Sequence, residues 1–169
     1  MNTLPIIIGP ADNRHCRQII DLILPIQQIE FNVAITLEGQ PDLLDIETNY
    51  HATGGGFWIA RHEGPVQPIL GSIGLIAIGH QAGAIRKMFV RKEYRGKEWG
   101  IAGRLLDILL AHSRQSGIRD LYLGTVEVLK AAHRFYERNG FQRIDKSELP
   151  DYFPRMAADN VFYHLHLKD

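Results

Sequence analysis

The sequence predicts an α/β protein (an α+β mixed sheet) with helices on both faces of one sheet. Three apolar runs between residues 57 and 90 are separated by glycine-containing turns, which indicates successive strands. Residues 100–115 and 129–139 instead carry apolar residues at helical spacing, and a buried-strand pattern at 121–126 lies between them. This pattern predicts a mixed sheet with two helices on each face. A length of 169 residues fits one domain over 1–169.

The N-terminal third begins with a short strand and continues with two helices. The strand at 6–8 is bounded by a Gly-Pro turn. The first helix covers about 12–29 and is expected to kink at Pro25, because proline removes a backbone donor. A second helix is predicted over 41–50, and a run of three glycines at 54–56 ends it.

The remaining elements give the order βααβββαβαβ, and a last strand closes the sheet. The predicted elements are strands at 57–60, 69–78 and 84–90, a helix at 100–115, a strand at 121–126, a helix at 129–139, and strands at 141–145 and 161–167.

Composition excludes several classes of protein. There are 19 basic and 19 acidic residues, and this balance argues against a broad nucleic-acid interface. No long apolar run and no basic leader are present, so we expect no membrane span, no signal peptide and a cytoplasmic location. Cys16 is the only cysteine, which rules out an internal disulfide.

A glycine-containing basic turn joins the strand that ends at Val90 to the helix that starts near Gly100. A helix N-terminus presents unpaired backbone N–H groups and the positive end of its dipole. Glycine lets the backbone approach a ligand closely, and Arg95 and Lys97 add charge. The turn is therefore a candidate phosphate site.

A second motif ends the helix at 129–139. The helix closes on Asn139-Gly140, and Tyr136 lies one turn before its end. A phenol with a pKa near 10 can donate a proton to a leaving group. A tyrosine packed on its helix with a wet hydroxyl is the structural alternative.

Together the two motifs resemble the GCN5-related N-acetyltransferases (GNAT), over roughly residues 56–145. Two departures stand out: the turn is about two residues longer than usual, so Arg95-Gly96 and Gly100 offer alternative registers, and Leu129 replaces an asparagine of the family. The matching positions are Val90, Lys97-x-x-Gly100-x-Ala102, Ala132, Tyr136 and Gly140-Phe141.

The resemblance implies a GNAT-like acyl-CoA N-acyltransferase fold and acetyl-CoA as co-substrate, with no metal. Tyr136 would act as general acid toward the CoA thiolate, and a backbone N–H at Phe89 or its neighbour would bind the oxyanion. The expected CoA-binding residues are Met88, Phe89, Val90, Arg95, Gly96, Lys97, Trp99, Gly100, Ile101, Ala102 and Lys130.

The general base and the acceptor site are less specified by sequence. Glu127 follows the 121–126 strand and is the candidate base, with Glu30 and His51 as alternatives. Glu30, Phe31 and Trp58 are the candidate substrate-binding residues, and the segment 148–156 is either a cleft wall or a plain crossover.

The acceptor is expected to be an amine of a small molecule or peptide, and homodimerisation is expected from the habit of the family. His164 and His166 lie two apart on one strand without a third ligand, so no metal site is predicted. The alternative function is a non-catalytic acyl-CoA-binding sensor or partner-binding module, for which the longer turn and Leu129 leave room.

Overall fold

The computed structural model describes residues 4–64 and 68–168. Within these residues the strands form one seven-stranded sheet in the order β1-β2-β3-β4-β5-β7-β6. Every neighbouring pair is antiparallel except β4 and β5, which are parallel. The strands are β1 (Ile6–Pro10), β2 (Gly56–His62), β3 (Ile69–Ala77), β4 (Ala82–Val90), β5 (Asp120–Thr125), β6 (Gln142–Ile144) and β7 (Val161–His166).

In the described part of the chain, four α-helices cover the two faces of the sheet. They are α1 (Cys16–Pro25), α2 (Ile46–Asn49), α3 (Ile101–Gln115) and α4 (Lys130–Arg138). Pro25 ends α1, and the chain continues as a π-helix over Ile26–Glu30. The predicted second helix is divided into a 3₁₀ turn at Pro41–Leu44 and the short α2, because Asp45 leaves helical geometry and caps α2 through Thr48 N–H.

Each face of the sheet has its own apolar core. On one face α1 and α2 pack on β2 and β3, with Ile19, Ile46 and Phe57 fully buried. On the other face α3 and α4 bury Leu105 and Tyr136 against the sheet. Successive side chains of a strand point to opposite faces of the sheet, so β2 and β3 contribute buried residues to both cores. The predicted mixed α/β fold is confirmed.

Two irregularities in β4 prepare the site. The pairing of β4 with β5 stops at Ile85, which lies opposite Leu123, so among the described residues the next part of β4 has no strand partner on that side. The pairing with β3 shifts between Ser72 and Gly74, which places a bulge at Lys87 in β4. Lys87 itself has φ +58, a left-handed conformation that is rare outside glycine, asparagine and aspartate.

The last strands are arranged less simply than the sequence order indicates. β7 inserts between β5 and β6, pairing with Thr125 through Val161 and with Ile144 through Phe162. The chain between β6 and β7 therefore returns across the end of β5. This crossover brings residues 153–159 to the gap beside β4.

Candidate active site

The long turn places a glycine in the left-handed region at the start of α3. Gly100 has φ +62 and caps α3 without any side-chain hydrogen bond. Arg104 N–H is the first to bond back, to the Gly100 carbonyl, so the N–H groups of residues 101–103 have no partner within the helix. The helix thus presents free donors and its positive dipole end at the position that the sequence predicts for a phosphate.

Arg95, expected beside the phosphate, is bound elsewhere. Its guanidinium forms a paired contact with the Glu30 carboxylate (Nη2 to Oε1 2.7 Å) and donates to the Val90 carbonyl at 2.8 Å. The hydrogen bonds from Arg95 lower the pKa of the Glu30 carboxyl. The same guanidinium lies over the Phe31 ring, with Cζ 5.7 Å from the ring centroid. The structure therefore ties Glu30 and Arg95 to each other, and of the two registers it leaves the one at Gly100 open.

The other predicted CoA-binding residues of the turn take different surroundings. Gly96 has φ +114, Lys97 is exposed, and Trp99 packs near Tyr94. The Ile101 side chain is buried in the core, so only its backbone can meet a ligand. Ala102 is half-buried beside that core.

A cleft opens where β4 and β5 separate. It encloses about 870 Å³ of space, with open solvent at its mouth included. Predicted residues Phe31, Met88, Phe89 and Tyr136 line it, whereas the turn at 95–102 does not. Because both helix layers contribute to its walls, the cleft passes through the sheet. The remaining lining residues are Gln27, Val33, Ile35, Ile85, Arg86, Lys87, Gly124, Thr125, Val126, Leu129, Ala132, Phe153, Pro154, Met156, Ala158 and Asp159.

Tyr136 extends from α4 into the cleft, and its hydroxyl forms no hydrogen bond with the described residues. The residue is 5% exposed and packs against Phe141 and Tyr163. Within residues 4–64 and 68–168 its hydroxyl has no hydrogen-bond partner. Burial, with a smaller effect of the Asp159 carboxylate, raises the pKa of the Tyr136 phenol well above its usual range. The group therefore stays protonated and is available as a donor.

A buried network of polar side chains stabilises the bulge of β4. Lys87 Nζ bonds Gln40 Oε1 at 2.6 Å and lies 3.8 Å from the Asp42 carboxylate, which accepts a hydrogen bond from the Tyr50 hydroxyl. Ser72 Oγ donates to the Lys87 carbonyl at 2.7 Å. Burial lowers the pKa of Lys87 to about 8 although Asp42 acts in the opposite direction. These contacts hold the left-handed backbone that shapes the cleft wall.

Sequence reasoning missed two charged groups in the cleft. Asp159 comes from the crossover before β7 and lies against Gly124, and Arg86 comes from β4 just past its last pairing with β5. Burial raises the pKa of Asp159 to about 6, while Arg86 and Lys87 oppose that rise. Arg86 belongs to a basic stretch of sequence, but no spacing distinguishes Asp159 before the fold is known.

Several predicted residues lie away from the cleft. Glu127 is exposed, and its carboxylate is taken by Lys130 at 2.7 Å and Arg143 at 3.6 Å. Its pKa is lowered, chiefly by Lys130, which disfavours it as a base. Trp58 is buried under α3 against His112, and the alternative base His51 bonds the Ala11 carbonyl at 2.6 Å.

The two histidines of β7 share a partner. His164 and His166 both bond one oxygen of Asp120, at 2.8 and 2.9 Å. In the part of the chain that the structure describes, no group of three or more His, Cys, Asp or Glu side chains is arranged to hold a metal ion. No helix within those residues has the length and apolarity that crossing a bilayer requires.

The chain is similar in sequence and in fold to known acetyltransferases. The family model described as "Acetyltransferase (GNAT) domain" matches residues 53–143, more than half of the chain. A solved GNAT-family acetyltransferase from Staphylococcus aureus Mu50 is 40% identical with a TM-score of 0.92, over 97% of this chain and 100% of that one. The chain therefore belongs to the GNAT acetyltransferases, and the resemblance seen in its motifs is confirmed.

Two less similar proteins also match this chain. N-acetylaspartate synthetase of Danio rerio is 33% identical over 132 residues, which are 73% of this chain and 44% of the relative, so this chain spans less than half of that protein's length. N-acetylglutamate synthase from Neisseria gonorrhoeae, solved with coenzyme A and N-acetyl-glutamate, shares the fold with a TM-score of 0.72. That likeness, at 19% identity, covers 99% of this chain and 36% of that one.

Proposed function

We propose that this chain is an N-acetyltransferase that moves an acetyl group from acetyl-CoA to an amine by direct attack in a ternary complex. One observation carries the proposal: the Tyr136 hydroxyl lines a cleft through the sheet and has no partner within the described residues. A thioester entering from the α3–α4 side and an amine entering from the other side would meet beside this phenol.

The start of α3 fits the pyrophosphate of acetyl-CoA. Free N–H groups at 101–103 and the left-handed Gly100 support backbone contact with phosphate oxygens. The pantetheine arm would then extend along the unpaired edge of β4, at Met88 and Phe89. Met88, Phe89 and Gly100 remain our candidate cofactor residues, whereas Arg95 is committed to Glu30.

The chemistry follows from these positions. The amine nitrogen attacks the thioester carbon, and the developing oxyanion accepts a hydrogen bond from a backbone N–H of the unpaired β4 segment, at Phe89 or its neighbour. The C–S bond breaks as the C–N bond forms, Tyr136 supplies the proton that the thiolate takes up, and the proton lost by the nitrogen restores the Tyr136 phenol. No covalent acyl-enzyme is required.

A non-catalytic acyl-CoA sensor is the second candidate. It is favoured by Leu129, which lines the cleft with an apolar side chain, and by the lengthened turn. Such a protein would bind acetyl-CoA through the same α3 terminus without releasing a thiol.

The variant Tyr136→Phe distinguishes the two functions. Calorimetry of acetyl-CoA binding and release of free thiol against a panel of amines are measured on the same preparation. An enzyme should lose on the order of 10²–10⁴-fold in kcat and keep its acetyl-CoA affinity. Binding by the wild-type protein without amine-dependent thiol release would favour the sensor.

A further inference from the structure

The cleft contains two opposite charges that do not pair with each other. Arg86 and Asp159 both line it, and no ion pair within 4 Å joins them or links either to another charged side chain of the described residues. Burial raises the pKa of Asp159, but the Arg86 charge opposes that rise, so the two groups lie within electrostatic range. Charges that lie within range of each other in one cleft, without contact, are suited to a ligand that bridges them.

Arg86 is the unusual arginine of this site. Its guanidinium is half-buried, and among residues 4–64 and 68–168 its only hydrogen-bond partner is the thioether of Met156. A thioether is a weak acceptor, whereas guanidinium has five donors whose geometry matches a carboxylate. By contrast, the nearby Arg91 and Arg95 donate to backbone carbonyls, and Arg95 also binds Glu30. The free donors of Arg86 favour an anionic ligand group.

Asp159 provides the complementary end. Its carboxylate accepts no hydrogen bond from the described part of the protein, and it lies close to Gly124 at the end of β5. The charged groups that act on it are Arg86 and Lys87 of β4, and it in turn acts on the Tyr136 phenol. A carboxylate beside the proposed acid is placed to bind an ammonium and to take its proton.

We propose that the acceptor is a free amino acid, whose carboxylate binds Arg86 and whose amino group binds Asp159. This assignment rests on the proposed acetyl transfer. Asp159 takes one proton of the ammonium, which frees the amine to attack, and the C–S bond breaks as the new C–N bond forms. The thiolate receives the Tyr136 proton, the second nitrogen proton returns to the Tyr136 phenolate, and Asp159 releases its proton to solvent. The products are an N-acetyl amino acid and CoA thiol. Apolar lining at Phe31, Val33 and Ile35 favours an apolar side chain.

The test compares matched acceptors with the purified full chain. L-phenylalanine, L-phenylalaninamide and phenethylamine share a ring and an amine but differ in the carboxylate, and the leucine series repeats the comparison. We expect the amide and the decarboxylated amine to lose about 10–100-fold in kcat/KM, which corresponds to the loss of a charge-assisted hydrogen-bond pair. β-Alanine and 4-aminobutyrate then report whether the two charges must sit on adjacent carbons.

Variants assign the effect to residues. Arg86→Gln should raise KM for the amino acid about 10–100-fold and remove the preference over the amide, and Arg86→Lys should restore part of it. Asp159→Asn should lower kcat for acid and amide alike. Arg17→Gln and Asp21→Asn, which alter an exposed pair on α1, are the matched controls and should match wild type. Equal turnover of acid and amide by wild type, or an unchanged preference in Arg86→Gln, would overturn the assignment.

A binding measurement separates this inference from the proposed activity. N-acetyl-L-phenylalanine and its amide are titrated into the CoA-loaded protein by calorimetry. Selective binding of the acid that disappears in Arg86→Gln would support the carboxylate site even if no amine were turned over. Failure of both compounds to bind, or equal binding of both, would reject the site independently of catalysis.

Discussion

Adding one methyl group at Gly124 should lower kcat/KM on the order of 100-fold and leave the fold intact. A Cβ at this position would lie 2.5 Å from Oδ2, 3.0 Å from Cγ and 3.1 Å from Cβ of Asp159. Carbon atoms pack at about 3.5–4.0 Å, so the Asp159 side chain must move on the order of 1 Å. Since Gly124 is in regular strand geometry, Gly124→Ala adds no backbone strain.

The expected loss in catalytic rate is much larger than the expected change in the free energy of unfolding. Misplacing a reacting group by about 1 Å costs on the order of 100-fold in rate, which is the expected loss in kcat/KM. Alanine in a strand is favoured over glycine by roughly 0.5–1 kcal/mol, and an off-rotamer Asp159 costs roughly 0.5–1.5 kcal/mol. The net stability change is therefore within about 1 kcal/mol, or under about 4 °C in Tm.

The assay measures thiol release with the best amino acid acceptor, together with Tm and acetyl-CoA affinity. Gly9→Ala is the matched control, because a Cβ there meets no atom within 4 Å on β1 and should leave the rate unchanged. In the Asp159→Asn background, Gly124→Ala should add little further loss. Wild-type rates in Gly124→Ala, or full additivity with Asp159→Asn, would refute the role of Asp159.

Three further outcomes are expected. Asp159→Asn should raise stability by about 1–2 kcal/mol at pH 7, because the folded pKa of about 6 exceeds the usual 3.8 and folding therefore penalises the ionised form; in urea denaturation this gain should vanish as the pH falls below about 4. Gly100→Ala should weaken acetyl-CoA binding about tenfold in calorimetry, since a left-handed non-glycine residue costs roughly 1–2 kcal/mol, and unchanged affinity would contradict the placement of the turn. Arg95→Gln should change that affinity less than about threefold, because an Arg95 bound to Glu30 makes no phosphate contact; a larger loss would restore Arg95 as a phosphate ligand.

Local patterns predicted most of the fold. Runs of apolar residues between glycine turns located β2, β3 and β4, and helical spacing located α3 and α4 to within one or two residues. The predicted second helix was interrupted because Asp45 prefers to cap the turn that follows it rather than to continue the one before.

The cleft depended on contacts that no local pattern contains. Tyr136 was predicted from the motif that surrounds it. Arg95 was predicted as a phosphate ligand from its place in the basic turn, because no local pattern shows its partner Glu30, which lies 65 positions earlier in the chain. Asp159 reaches the cleft only because β7 inserts between β5 and β6. Glu127 looked suitable from its place after β5, yet it lies where Lys130 and Arg143 neutralise it.

Two-substrate kinetics test the central claim most directly, namely that thioester and amine meet beside Tyr136 without an acyl-enzyme. Initial rates of thiol release are measured while acetyl-CoA and the amine acceptor are varied independently. Direct attack in a ternary complex predicts rates that depend on both substrates and double-reciprocal lines that intersect. Parallel lines would indicate a covalent acyl-enzyme, and thiol release that does not depend on any amine would contradict acetyl transfer.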